Sequence, residues 1–191
     1  MFVNNFIHSG KLSEDERELY EYGFFILVSN ILFICITIIF GLVFKTLIQS
    51  LIFFGVFTII RQYAGGYHAA TELRCEVFTT LCIFISNIAM RLINDATTFT
   101  ILLTLTFILI IVIFLFAPID TDEKTLSEQE VKVFCKKTKL ILIIVVAAIL
   151  VSFYLKIKSI CIPCCIGVVL EGVLLITGKI QKNRMGKCEE Y

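Results

Sequence analysis

The sequence predicts an all-α integral membrane protein with about six transmembrane or re-entrant helices and an amphipathic N-terminal helix. Hydrophobic residues make up 58% of the 191-residue chain and charged residues only 17%, with a mean hydropathy of +0.93. A soluble domain of this size has no interior large enough to hide that much apolar surface. The apolar residues also fall into long runs separated by short polar segments that hold most of the charge. The whole chain, 1–191, is expected to form a single polytopic membrane domain. A net charge of +1 names no partner, and nothing points to nucleic acid.

Residues 1–21 begin the chain as an amphipathic segment. Phe2, Val3, Phe6 and Ile7 share a helical face, and Ser13-Glu14-Asp15-Glu16 resembles an N-cap with an acidic first turn. A helix lying on the bilayer surface is expected there. Its acidity is the opposite of a basic n-region, so no cleavable signal peptide is expected.

The run 22–44 is uncharged and long enough to span, since about 20 residues cross the hydrocarbon core. The runs 46–60 and 77–90 are short for spans. They flank a polar island, 61–76, so each either extends into the island or forms part of a re-entrant hairpin shielded by protein. The run 96–119 is a clear span. A polar loop, 120–139, separates it from the runs 140–155 and 159–178, the last interrupted by Glu171. A carboxyl group in a span is a functional candidate by default. Hydrogen bonding of a protonated Glu171 to a neighbouring helix would let Gln replace it.

Orientation follows from Lys and Arg. With six spans and a cytoplasmic N-terminus, 13 of the 17 basic residues lie inside, leaving Lys45, Arg91, Lys156 and Lys158 outside. That assignment puts the 61–76 island, the 120–139 loop and the C-terminus at the cytoplasmic face of a multi-pass cell-membrane protein, where thiols stay reduced.

Most of the eight cysteines lie inside apolar runs, among them Cys35, Cys82, Cys161, Cys164 and Cys165, and are expected to pack as small apolar side chains. Cys161-Ile162-Pro163-Cys164 has C-x-x-C spacing, but no second ligand cluster accompanies it. Pro163 is expected to distort its helix. No metal or other cofactor is expected.

The island carries the chemistry. It reads Arg61-Gln62-Tyr63-Ala64-Gly65-Gly66-Tyr67-His68, then Thr71-Glu72-Leu73-Arg74-Cys75 after two alanines. Gly65-Gly66 reads as a tight turn or a close approach of the backbone to a ligand. A thiol becomes a good nucleophile when a base takes its proton and a positive potential holds the thiolate. His68 can be that base for Cys75, with Arg61 and Arg74 supplying potential. Seven residues along one helix would separate the two by about 10 Å, too far for a thiolate–imidazole bond. His68 is therefore expected on the turn after the glycines, and Cys75 in the first turns of the next helix. Gln62 or Glu72 could orient His68. The bland alternative is a re-entrant turn with a packing cysteine.

Two stretches resemble a known family. Arg61-x-x-x-Gly65-Gly66-x-His68, with Cys75 seven residues on, is similar to the core of the accessory gene regulator B (AgrB) family of quorum-sensing membrane endopeptidases. Ala117-Pro118-Ile119-Asp120-Thr121-Asp122-Glu123-Lys124 is similar to that family's run after its fourth hydrophobic segment, except that Thr125 stands where proline often follows. The resemblance implies a cysteine endopeptidase that cuts an AgrD-like propeptide near its C-terminus. Cys75 would be the nucleophile and His68 the general base, and a Cys75 thioester would be captured by a peptide thiol to close a thiolactone ring. It also implies a homodimer.

Lys132, Lys136, Lys137 and Lys139 lie on the face where an acidic peptide tail would arrive. Anionic lipid contact is their other role. A small transporter or channel, built around the intramembrane Glu171, is the rival from another class.

Overall fold

The computed structural model describes residues 17–67, 71–119 and 128–188. The amphipathic segment expected over 1–21 therefore lies mostly outside the described residues, as do Asp120 to Lys124. Six helices form among the described residues. They are α1 Arg17–Val43, α2 Leu47–Ala64, α3 Glu72–Leu92, α4 Ala96–Phe116, α5 Glu128–Tyr154 and α6 Lys158–Cys188. No strand joins them there. The fold class is the all-α one expected.

All but α5 are long and apolar enough to cross a membrane, and this is a membrane protein. In α5 the apolar stretch starts only at Leu140, leaving 15 residues to the helix end at Tyr154. At 1.5 Å per residue that covers about 22 Å of a core about 30 Å thick. Lys137 and Lys139 at one end and Lys156 at the other have stems long enough to reach the headgroups.

The short runs 46–60 and 77–90 belong to longer helices. α2 continues through Arg61 to Ala64, and α3 begins at Glu72, so only residues 65–71 connect them. The 18 residues of α2 reach about 27 Å. Arg61 is tolerated in the last turn because a cation there complements the helix dipole and because its guanidinium finds backbone acceptors.

The chain divides into two compact units, Met1–Ile36 and Thr37–Tyr191. In the first, α1 from Gly23 onward carries no charge, the composition of a lipid-embedded helix. In the second, α6 is the central element. It packs against α2, α4 and α5. Its span is 67% buried, against 33% or less for those of α2, α3 and α4. Glycines let the neighbours approach, as helix packing in lipid requires. A Cβ on Gly167 would sit 3.2 Å from Val56 of α2, and one on Gly172 would sit 2.8 Å from Leu109 of α4. α4 answers with a buried stripe at helical spacing, Leu102, Thr106, Leu109 and Ile113. Cys82, Cys161, Cys164 and Cys165 are buried and free, in keeping with a packing role, whereas Cys35 is exposed. The helix runs on through Pro163. Proline so near the helix start leaves only an early carbonyl without its donor.

Two turns share one construction. Lys45 and Lys156 each take a left-handed conformation, with φ of 55° and 58°. Around them, Thr46 N–H donates to Gly41 (2.7 Å) and Ile157 N–H to Ser152 (2.8 Å), the longer bond of a Schellman turn. Just past the first turn, the Asn87 side-chain oxygen accepts from Thr46 Oγ1 (2.8 Å) and Ser50 Oγ (2.5 Å), binding α3 to α2 in the interior. Arg91 Nη1 donates to the Phe44 carbonyl at 2.9 Å.

Candidate active site

The site is assembled where α2 ends, α3 begins, α4 ends and α6 passes between them. Gly65 (φ 72°) and Gly66 (φ 132°) both take left-handed backbone angles, which glycine alone adopts at little cost. Each glycine is also pressed from outside. A Cβ on Gly65 would run into the Ile119 carbonyl oxygen. A Cβ on Gly66 would meet the Arg61 guanidinium and lie 3.2 Å from the Leu174 carbonyl oxygen.

Ile119 N–H donates to the Ala64 carbonyl at 3.0 Å, and Gly65 and Ile119 form an isolated parallel bridge. The two sequence motifs, 61–76 and 117–124, thus meet through their backbones. On the other side, Tyr67 N–H donates to the Leu174 carbonyl of α6 at 3.0 Å. The Leu174 carbonyl also accepts from Thr177 Oγ1 at 2.9 Å, and the loop reaches it because Gly178, one turn on, lets α6 come up against the loop. A Cβ on Gly178 would lie 2.6 Å from Tyr67 N.

Arg61 closes the loop from within. Nη1 donates to the Gly65 carbonyl at 3.2 Å, and Nη2 donates to the Tyr67 carbonyl. That last carbonyl belongs to the peptide bond leading into position 68. Nη1, which also donates to Gly65, lies 4.0 Å from Glu171 Oε1, on a side chain that is 0% exposed. So Glu171 faces the guanidinium of Arg61.

His68 itself lies outside the described residues, as does the side chain of Glu72. Thr71 caps α3, its Oγ1 accepting from Arg74 N–H at 3.4 Å. Cys75 follows one turn in, its N–H bonded to the Thr71 carbonyl at 3.1 Å and its side chain half-buried. Cys75 thus lies in the first turns of α3, which starts at Glu72. Gln62 is exposed.

The four lysines part ways. Lys137 Nζ lies 5.0 Å from the centre of the Tyr63 ring, beside Arg61 in sequence, and Lys139 Nζ lies 4.7 Å from that of Phe114. Both are thereby held at the end of the helices where the loop sits. Lys132 and Lys136 are exposed on the first turns of α5. Sequence reasoning missed Leu174 and Gly178. A glycine late in the last apolar run was the available signal for Gly178, and Leu174 gave none.

The family model for accessory gene regulator B matches residues 1–175. The chain belongs to the accessory gene regulator B family. AgrB-like proteins of Clostridium perfringens strain 13 / Type A (AgrB-like protein 2) and strain SM101 / Type A are each 27% identical to it over 131 residues. The aligned stretch covers 66% of this chain and 61% of each relative, so the chain spans less than two thirds of their length. No solved structure matches. The match to the AgrB model takes in the whole bracket from Arg61 to Leu174 and stops short of Gly178.

Proposed function

We propose that this AgrB family member is a membrane cysteine endopeptidase acting in quorum sensing on an AgrD-like propeptide. The observation that carries this reading is the placement of Cys75. Its thiol is half-buried in the first turns of α3, directly after a glycine loop whose backbone is tied to α2, α6 and Ile119. A fixed approach to the nucleophile is what acyl transfer needs, since misplacement by about 1 Å can cost about a hundredfold in rate.

In the proposed reaction His68 takes the Cys75 proton and the thiolate attacks the peptide carbonyl. The carbon–nitrogen bond then breaks, and His68 returns the proton to the leaving amine. The Cys75 thioester is next attacked by a thiol of the peptide, closing a thiolactone and regenerating the Cys75 thiol. Forming a thioester from an amide is uphill, and each 1.4 kcal/mol lowers its equilibrium amount about tenfold. Loss of the released tail or capture by the peptide thiol therefore draws the reaction forward. The chemistry is assigned to the cytoplasmic face by the distribution of Lys and Arg. Lys137 and Lys139, at that end of the helices, would meet an acidic tail. Glu171, the residue that suggested a transporter, is fully buried beside Arg61.

Co-expression with an AgrD-like propeptide tests the proposal. Wild-type protein should shorten the peptide and leave a thiolactone, read by mass, while Cys75→Ala and His68→Ala leave it intact. Processing by Cys75→Ala in a host lacking other peptidases for this substrate would refute the proposal.

A further inference from the structure

We propose that Glu171 is a positioning residue for the Cys75 site, acting through Arg61 on the peptide bond that enters position 68. The inference rests on the reading of Cys75 as nucleophile and His68 as base.

Glu171 is fully buried in the central helix, and neither carboxyl oxygen has a hydrogen-bond partner among the described residues. A carboxyl group in an apolar span, making no hydrogen bond, requires some other reason to be there. Its cationic neighbour supplies one. Arg61 Nη1 stands 4.0 Å away, and the guanidinium is 20% exposed. Arginine stays charged in any protein environment. Nη1 and Nη2 each donate to a loop carbonyl, those of Gly65 and Tyr67. Those neutral acceptors alone do not compensate a cation drawn toward water and headgroups.

Attraction to the carboxyl group 4.0 Å away, where water is excluded, opposes that pull. Glu171 therefore keeps the guanidinium turned inward, where it grips the loop. Tyr67 is then fixed at both backbone groups, its N–H by Leu174 and its carbonyl by Arg61. Leu174 lies one helical turn beyond Glu171, so one stretch of α6 acts on the loop in both ways. The next residue in the chain is the base. Glu171 touches no reacting atom and works by fixing where position 68 starts.

The test uses full-length protein in membranes, with Glu171→Gln, Glu171→Asp, Arg61→Gln and the double change to Gln. Two rates are read, each normalised to the protein present so that abundance does not decide. One is propeptide cleavage. The other is alkylation of Cys75 by a small uncharged reagent, without substrate, in protein whose other cysteines are replaced. Glu171→Gln should lower kcat at least about tenfold while KM moves less than about twofold, and Glu171→Asp should restore much of the loss. The double variant should be no slower than Arg61→Gln alone, because the two residues act as one unit. Alkylation of Cys75 should slow in Glu171→Gln, since the Tyr67 backbone that leads into position 68 is held less firmly. Wild-type kcat and alkylation in Glu171→Gln would overturn the proposal, as would a double variant whose loss is the product of the single losses. Cleavage that survives Cys75→Ala would remove the assignment of Cys75, and the alkylation rate would still show whether Glu171 governs the loop.

Discussion

Gly178 and Gly66 touch backbone to backbone: a Cβ on Gly178 would lie 2.6 Å from the Gly66 carbonyl carbon and 3.0 Å from its Cα. Neither glycine can yield, because the loop is bonded to Leu174 on the same helix and to Ile119 behind it. Gly178→Ala should therefore destabilise by about 1–3 kcal/mol, the usual cost of forcing a methyl into packed structure. Gly55 is the control, since a Cβ there meets nothing within 4 Å. Gly55→Ala should leave stability unchanged or raise it by up to about 1 kcal/mol through helix propensity. Melting of the two purified variants in one detergent compares them, and propeptide cleavage should fall in Gly178→Ala alone.

Asn87 joins α3 to α2 by accepting from both Thr46 and Ser50. Asn87→Leu removes the acceptor these two interior hydroxyls share, leaving Ser50 Oγ its bond to the Thr46 carbonyl, and should cost about 1–2 kcal/mol, in the range for hydrogen bonds between membrane helices. Adding Thr46→Val and Ser50→Ala should recover part of that loss, because no polar group is then left unpaired. Melting temperatures of the single and triple variants check this.

How far the sequence revealed this arrangement differs from residue to residue. Adjacent glycines announce a turn whatever surrounds them, so Gly65-Gly66 was legible, and the membrane helices were legible from length and hydropathy. The ends of α2 and α3 were not. Arg61 and Gln62 look like a helix stop until the Gly65 and Tyr67 carbonyls are seen to receive the guanidinium. Glu171 stood out as a carboxyl group in a span, but Arg61, which lies beside it, is far off in sequence. That 61–76 and 117–124 meet at Gly65 and Ile119 is a tertiary fact with no local signature. Leu174 takes part only through its backbone carbonyl, which no side-chain pattern can report.

Asp95 caps α4, accepting from Thr98 N–H at 2.9 Å and from Thr98 Oγ1 at 2.6 Å. These bonds hold its carboxyl below the usual range, the side-chain bond to Thr98 most of all. The sign follows from linkage: a depressed folded-state value contributes stability above the unfolded value and loses it as pH falls through the folded one. Melting temperature should accordingly fall on the acid side of the ordinary carboxylate range, and Asp95→Asn, which keeps a capping oxygen but cannot titrate, should flatten that limb. An identical acid limb in Asp95→Asn would assign it to other groups.

The proposed topology places Lys156 outside and the start of α5 inside. In otherwise cysteine-free protein in intact cells, an impermeant maleimide should label Lys156→Cys and spare Glu128→Cys until the membrane is opened. Labelling of Glu128→Cys in sealed cells would reverse the assignment and move the Cys75 site to the outer face.

The central claim is that Cys75 carries the acyl group, and mass spectrometry of the protein after brief reaction with an AgrD-like propeptide tests it most directly. The account predicts a scarce adduct on the peptide containing Cys75, heavier by the acyl portion of the substrate, removed by hydroxylamine and diminished by added tail peptide. Efficient cleavage with no hydroxylamine-sensitive adduct on Cys75, continuing at the wild-type rate in Cys75→Ala, would contradict it.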